Sequence, residues 1–297
     1  MFSTARRPKA LAAGGALTVC ALAACSSGST LPVAPTQSTG PERIVAAPKN
    51  LRSAAEPLPN GTMWTLAGDS ATRALFEFSL TGGQRPIGAK PVSNAAQSIA
   101  ESLTGVIGVA LGTHNTGALQ LLNGSTGATS RTIPLGAPAR QVVVGSDGST
   151  FYVLNGTTAS ASVTIVNSQN GRTLGTVPVP LDTVSVVPDI QEATIYALQP
   201  SGAVSQIAVA GGRIMSTFRT GDSARSMALS PDGDTLYVLK GPMTAPNVAV
   251  VDVATQSVSR VLPAPANCLQ ILVSANGGEL YQMVGTPGYG NIQVFAS

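Results

Sequence analysis

One short apolar strand recurs six times in this sequence at a nearly fixed interval. The copies are Met63-Trp64-Thr65-Leu66, Ile107-Gly108-Val109-Ala110, Phe151-Tyr152-Val153-Leu154, Ile195-Tyr196-Ala197-Leu198, Leu236-Tyr237-Val238-Leu239 and Leu280-Tyr281-Gln282-Met283. Their first residues lie 44, 44, 44, 41 and 44 positions apart. A period in the forties with several short strands per unit marks a propeller blade. The expected fold is therefore all-β, a six-bladed β-propeller of four-stranded blades.

The unit that precedes the last shows its four strands most clearly. Ala224 to Ser230 runs into a Pro231-Asp232-Gly233 turn, Thr235 to Lys240 follows, then Val248 to Val253 and Val258 to Pro263. The third strand recurs 12 residues after the second in five units and 9 after it in the fourth, which places the three-residue deletion in the loop from Gln199 to Gly202. The last unit has no fourth strand, because the sequence given stops at Ser297, directly after its third. A spare strand stands at the other end: Arg43 to Pro48 resembles Arg260 to Pro265, and both lie 20 residues before a second strand. The N-terminal strand is expected to complete the C-terminal blade, since otherwise an unpaired edge would be exposed and the ring could part there.

Residues 1–24 read as a processing signal, with Arg6, Arg7 and Lys9 ahead of an apolar run from Ala10 to Ala24 that is too short to span a bilayer. The run ends in Leu22-Ala23-Ala24-Cys25, which resembles the bacterial lipobox. That resemblance implies lipidation of Cys25 and an extracytoplasmic protein anchored to the outer face of the cell membrane. The pair Arg6-Arg7 leaves the export route open between general secretion and the twin-arginine pathway. Residues 25–41, rich in Ser, Gly, Thr and Pro, read as a flexible tether, and residues 42–297 as the propeller.

Removing the signal removes three basic and no acidic residues, so the formal charge of +3 falls to about zero. No Lys/Arg cluster or aromatic-basic interleaving remains to suggest nucleic acid. Of the three cysteines, Cys20 leaves with the signal and Cys25 is the lipidation site, so Cys268 stands alone at the start of an inner strand, where a buried inert thiol is expected.

The run Ser230-Pro231-Asp232-Gly233-Asp234-Thr235-Leu236-Tyr237-Val238, followed by Val248-Ala249-Val250-Val251-Asp252, resembles the YVTN-type propeller repeat. Weaker copies stand at Gly145 to Val153 and at Ser274 to Tyr281. The resemblance covers essentially the whole domain and speaks for fold. For function it implies little, because the family includes lactonase-like enzymes, surface-layer proteins and lipoproteins.

Trp64, Tyr152, Tyr196, Tyr237 and Tyr281 hold one equivalent position and are expected to pack between blades. A more discriminating position lies 11 residues before each second strand: Arg52, Ala96, Arg140, Val184, Arg225 and Leu269. Here arginine alternates with apolar residues at the mouth of the central channel, and converging guanidiniums suit carboxylate or phosphate. The next position, Ser53, Gln97, Gln141, Ser185, Ser226 and Gln270, supplies polar groups for a ligand or for channel water. The candidate ligand residues are thus Arg52, Arg140, Arg225, Gln97, Gln141 and Gln270. The competing expectation is that the arginines fold onto loop acids such as Asp182 or Asp222.

His114, the one histidine, falls on a loop and cannot supply a three-histidine zinc site. No G-x-S-x-G, H-E-x-x-H, Walker A or C-x-x-C pattern occurs, and Gly288-Tyr289-Gly290 lacks the third glycine of a dinucleotide fingerprint. Enzymatic relatives would need acidic metal ligands at the channel, for which Glu56, Asp182 and Asp222 are the candidates, or a histidine acid/base. The expectation is a monomeric, non-catalytic binding or scaffolding propeller without metal or cofactor. Its partner would be a cell-envelope protein or a small anionic ligand, and the alternative is a metal-dependent lactonase-like hydrolase.

Overall fold

The computed structural model describes residues 40–80, 86–157 and 159–297. The signal, Cys25 and all but the end of the tether lie outside the described residues. Each blade is a four-stranded antiparallel sheet whose strands follow one another outward from the channel. The first comprises β2 (Leu51–Ala54), β3 (Thr62–Gly68), β4 (Arg73–Ser79) and β5 (Gly88–Val92). The second comprises β6 (Ala96–Glu101), β7 (Val106–Gly112), β8 (Gly117–Asn123) and β9 (Thr129–Pro134), and the third β10 (Ala139–Val144), β11 (Thr150–Gly156), β12 (Ala161–Asn167) and β13 (Thr173–Pro178). The fourth is β14 (Ser185–Pro188), β15 (Thr194–Leu198), β16 (Ala203–Ala208) and β17 (Ile214–Arg219), and the fifth β18 (Ser226–Leu229), β19 (Thr235–Lys240), β20 (Asn247–Asp252) and β21 (Ser257–Pro263).

The sixth blade is shared between the two ends of the described chain. Strands β22 (Cys268–Val273), β23 (Glu279–Gly285) and β24 (Gly290–Ala296) are completed by β1 (Arg43–Ala47), in the order β1-β24-β23-β22. β1 runs antiparallel to β24 from Arg43 opposite Val294 to Ala47 opposite Gly290, and Val45 inserts into the sixth blade's core. The three-residue deletion falls between β15 and β16, as its position in the repeat requires.

The first turns of the fifth and sixth blades explain their sequence. In the fifth blade Ser230 Oγ accepts the Thr235 N–H at 2.9 Å and Gly233 takes φ 81°, while Ser274 Oγ accepts the Glu279 N–H at 2.9 Å in the sixth. A serine ahead of a left-handed residue thus replaces a ladder partner where the chain reverses.

Cores form between blades rather than within them. Trp64 packs with Ala96, Ile99 and Ile107 of the second blade, Tyr152 with Val186 and Ile195 of the fourth, Tyr196 with Met227 and Leu236 of the fifth, Tyr237 with Ile271 and Leu280 of the sixth, and Tyr281 with Leu51 and Met63 of the first. The equivalent of these aromatics in the second blade is Gly108. The space it leaves is taken by Phe151 from the third blade, whose ring atoms lie 3.2–3.3 Å from where a Cβ on Gly108 would sit.

Candidate functional site

Innermost strands β2, β6, β10, β14, β18 and β22 line the channel, and four of them, β2, β6, β10 and β22, open on a bulge. In β2 the pairing steps from Leu51–Ala67 to Ser53–Leu66 and leaves Arg52 outside the ladder. Arg140 and Leu269 are left out in the same way in β10 and β22. In β6 the bulged residue is Gln97, between Ala96 and Ser98, and not Ala96. The turn from β6 to β7 is one residue shorter than its counterparts, so counting back 11 residues from the second strand misplaces this blade by one. The corrected rim is Arg52, Gln97, Arg140, Val184, Arg225 and Leu269. The ring beneath it is Ser53, Ser98, Gln141, Ser185, Ser226 and Gln270. These twelve residues together line one cavity of about 120 Å3 at the channel mouth.

The lower ring is a closed circuit of hydrogen bonds between neighbouring blades. Ser53 accepts the Ile99 N–H (3.4 Å), Ser98 that of Val142 (3.2 Å), Gln141 that of Val186 (2.7 Å), Ser185 that of Met227 (3.3 Å), Ser226 that of Ile271 (3.2 Å) and Gln270 that of Ala54 (2.9 Å). Each side chain thus satisfies an inward N–H of the next innermost strand, a donor that would be costly to bury unpaired. Glutamine stands at the two junctions, third to fourth and sixth to first, where innermost strands touch least, and its extra length spans the wider gap. The Gln141 and Gln270 amides are occupied on both sides, since Gln141 Nε2 also donates to Ser185 Oγ (3.2 Å) and Gln270 Nε2 to the Ala54 carbonyl (3.2 Å).

The rim residues are anchored by a different device. Arg52 Nε donates to the Gly68 carbonyl at 3.0 Å, Gln97 Nε2 to that of Gly112 at 3.1 Å, Arg140 Nη2 to that of Gly156 at 3.0 Å, and Arg225 Nη2 to that of Gly241. The acceptor is always the glycine five residues after the start of the repeated motif, and Gln97 follows the arginines in this, which supports the corrected register. Those glycines recur at 68, 112, 156, 241 and 285, a signal as periodic as the strands themselves. Close approach explains one of them directly: a Cβ on Gly112 would lie 2.4 Å from the Ala139 carbonyl oxygen of the next blade.

The arginines therefore neither fold onto acids nor hang free. Among the described residues the one ion pair is Arg43–Glu279, at 3.0 Å, and Asp182 and Asp222 sit exposed on loops. Each guanidinium spends one or two of its five N–H groups on backbone carbonyls. Arg52 and Arg140 are exposed, whereas Arg225 is half-buried and has a buried Nη1 without a partner. Burial draws the Arg225 guanidinium below its usual range, partly opposed by the neighbouring Cys268 thiol. Burial likewise pushes fully buried Cys268 up to about 12, with Arg225 opposing, so this thiol is inert at neutral pH. His114 lies exposed between β7 and β8 and is not among the residues that line the mouth.

The opposite mouth is acidic. Glu56, Glu101 and Asp189 contribute to a cavity of about 210 Å3 there, among Leu58, Val187 and Ile190. Enclosure within the ring raises the Glu56 carboxyl, although its open face toward the cavity limits the effect. No three His, Cys, Asp or Glu side chains are grouped closely enough to hold a metal ion among the described residues.

Glu101, 6% exposed, ends β6, and its Oε2 has no partner. Burial first, and the charge of Glu77 second, push its carboxyl up to about 7 against the pull of Trp64 and Lys90. Below pH about 4.5 the group is protonated whether the chain is folded or not. As pH rises from there to about 7 the unfolded chain releases its proton while the folded chain retains it, so stability is lost across this window, by roughly 3 kcal/mol. Glu101→Gln is expected to melt higher than the wild type at pH 8 and alike at pH 4. Parallel melting curves across that range would show that Glu101 carries no such cost.

These features define the class: a six-bladed β-propeller closed by its N-terminal strand, basic at one channel mouth and acidic at the other. No protein-family model matches the chain, and no curated protein matches it. Among solved structures it is similar to one titled Kuenenia stuttgartiensis Hydrazine Synthase, at 15% identity, with a TM-score of 0.65 and 83% of each chain covered. At that identity the likeness is one of fold alone.

Proposed function

We propose that this chain is an extracytoplasmic, lipid-anchored propeller that binds rather than transforms, held to the membrane through Cys25 and presenting its arginine mouth to an anionic ligand or cell-envelope partner. The observation that carries the reading is the placement of Arg52, Arg140 and Arg225 on alternate blades around one mouth, each fixed by a backbone carbonyl and none within ion-pair distance of a carboxylate. Carbonyl anchors hold a guanidinium in place without neutralising it, so its charge and remaining donors are available to an anion. The glutamines enter this reading unequally. Gln97 stands on the rim with the arginines, while Gln141 and Gln270 bind the ring to itself and support the mouth from beneath.

Both described chain ends leave from the acidic side, since β1 begins and β24 ends there.

One experiment tests both parts. The wild-type chain expressed with its signal is expected to enter the detergent phase on partitioning, and the purified protein to gain melting temperature with added inorganic phosphate. Cys25→Ser should lose the first property and keep the second, and the triple variant Arg52→Gln, Arg140→Gln, Arg225→Gln should do the reverse. Stabilisation by a specific ligand grows as the logarithm of its concentration over Kd. A melting temperature that rises with a divalent cation and ignores phosphate would favour the metal-dependent hydrolase instead.

A further inference from the structure

The near-zero net charge of the propeller conceals a separation along the ring axis. Innermost strands start at the arginine mouth and successive strands alternate, which assigns every loop to one side or the other. Of the fourteen acidic residues, all but Asp69, Asp182 and Asp222 fall in the half of the ring away from the arginine mouth. The arginine side gathers Lys49, Arg73, Arg219 and Lys240 in addition to the three rim arginines. Arg73 is nine-tenths buried and is held by the carbonyls of Asp69 (3.2 Å) and Ala96, again without a carboxylate partner. Seven basic residues against three acidic ones leave this side net positive, and a charged mouth on a closed ring draws in ligands of opposite charge.

The anchors restrict what such a ligand can be. Arg52, Arg140 and Arg225 are each tied to a glycine of their own blade, in the first, third and fifth positions of the ring. The three guanidiniums are thus held separately, each offering its charge from its own blade. A molecule bearing several anionic groups meets each arginine where it already stands. We propose that the arginine side of the ring is a docking face for a polyvalent anion, a compact molecule with three or more phosphate or carboxylate groups engaged across alternate blades. This rests on the reading of the mouth as an anion site and adds the valence and the geometry of the ligand.

Calorimetric titration at fixed ionic strength tests it with myo-inositol hexakisphosphate, with benzene hexacarboxylate and with inorganic phosphate. At least one polyvalent probe is expected to bind about tenfold or more tightly than phosphate, with affinity falling as salt rises. The probe that wins distinguishes a phosphorylated from a carboxylated ligand. Arg52→Gln, Arg140→Gln and Arg225→Gln should each weaken binding by a comparable factor. Because these variants also lose a carbonyl anchor, Val184→Glu provides a second arm, placing a carboxylate at the rim while every arginine anchor stays intact; it should weaken the polyvalent probe about tenfold. Binding unaffected by Val184→Glu, or carried by a single arginine, overturns the proposal. Phosphate binding as tightly as both polyvalent probes, and lost in the triple arginine variant, overturns it while leaving the anion site standing. Failure of all three probes overturns both.

Discussion

Removing residues 42–48 from the propeller is expected to abolish cooperative folding or lower the melting temperature by roughly 10–20 °C, the largest effect of any local change in this molecule. The deletion removes the outer strand of the sixth blade, five paired positions along β24, and the Val45 side chain from the core shared by the sixth and first blades. Paired strand residues contribute on the order of 1 kcal/mol each and a buried valine about 2, which sums to about 5 kcal/mol or more. In a domain of this size each kcal/mol moves the melting temperature by about 2–4 °C. The exposed edge of β24 adds a second consequence, association between truncated copies. Val45→Asp is the milder companion: it keeps the strand and puts an unpaired charge in the core. A truncated chain that melts as one transition at the wild-type temperature would show that β1 is ornament and that the ring closes without it.

That closure was readable because β1 keeps the phase of the repeat, standing 20 residues before a second strand like the fourth strands of other blades. Strand positions, the deletion before Ala203 and the interblade role of the aromatics were legible for the same reason, since a propeller stacks one unit on the next and a period exposes equivalent sites. What the period could not show was a shift inside a unit. Ala96 takes the place of an arginine by counting, yet Gln97 holds it in space, because the shorter β6–β7 turn moves the first strand by one residue relative to the second.

The candidate site was half legible. Alternation of arginine with apolar residues placed the three guanidiniums at one channel mouth, but their anchors are backbone carbonyls, which no side-chain pattern reports. The glycines at 68, 112, 156, 241 and 285 were the available clue. Ser53 and its equivalents were recognisable as polar channel residues, whereas their partner is an N–H on the following blade, some 45 residues onward, and so invisible to local reading. Charge separation is not legible in the net charge, because a sum discards position; once each strand has a direction, the same sequence assigns all but three of its fourteen acids to one side.

Phe151→Ala is expected to cost about 4 kcal/mol, because the ring is fully buried between the second and third blades and no neighbour can close the gap it leaves. The reason lies in the one break in the aromatic stripe. Where five blades place Trp or Tyr, the second has Gly108, and Phe151 reaches back to fill that volume from the other side of the interface. The two positions are thus one packing unit divided unequally, which yields a less obvious expectation. Gly108→Tyr restores the repeat residue, improves strand propensity and should still destabilise by about 1–3 kcal/mol, since its Cβ already crowds the Phe151 ring. Combining Gly108→Tyr with Phe151→Ala should recover part of what each loses, a coupling of about 1 kcal/mol or more in a double-mutant cycle followed by chemical denaturation. Strict additivity would mean that the two sites do not share the space. The recovery is expected to be incomplete, because a ring entering from Gly108 fills that space from the opposite side and meets Ala100 and Ala110 at a different angle from the one that the present core accommodates.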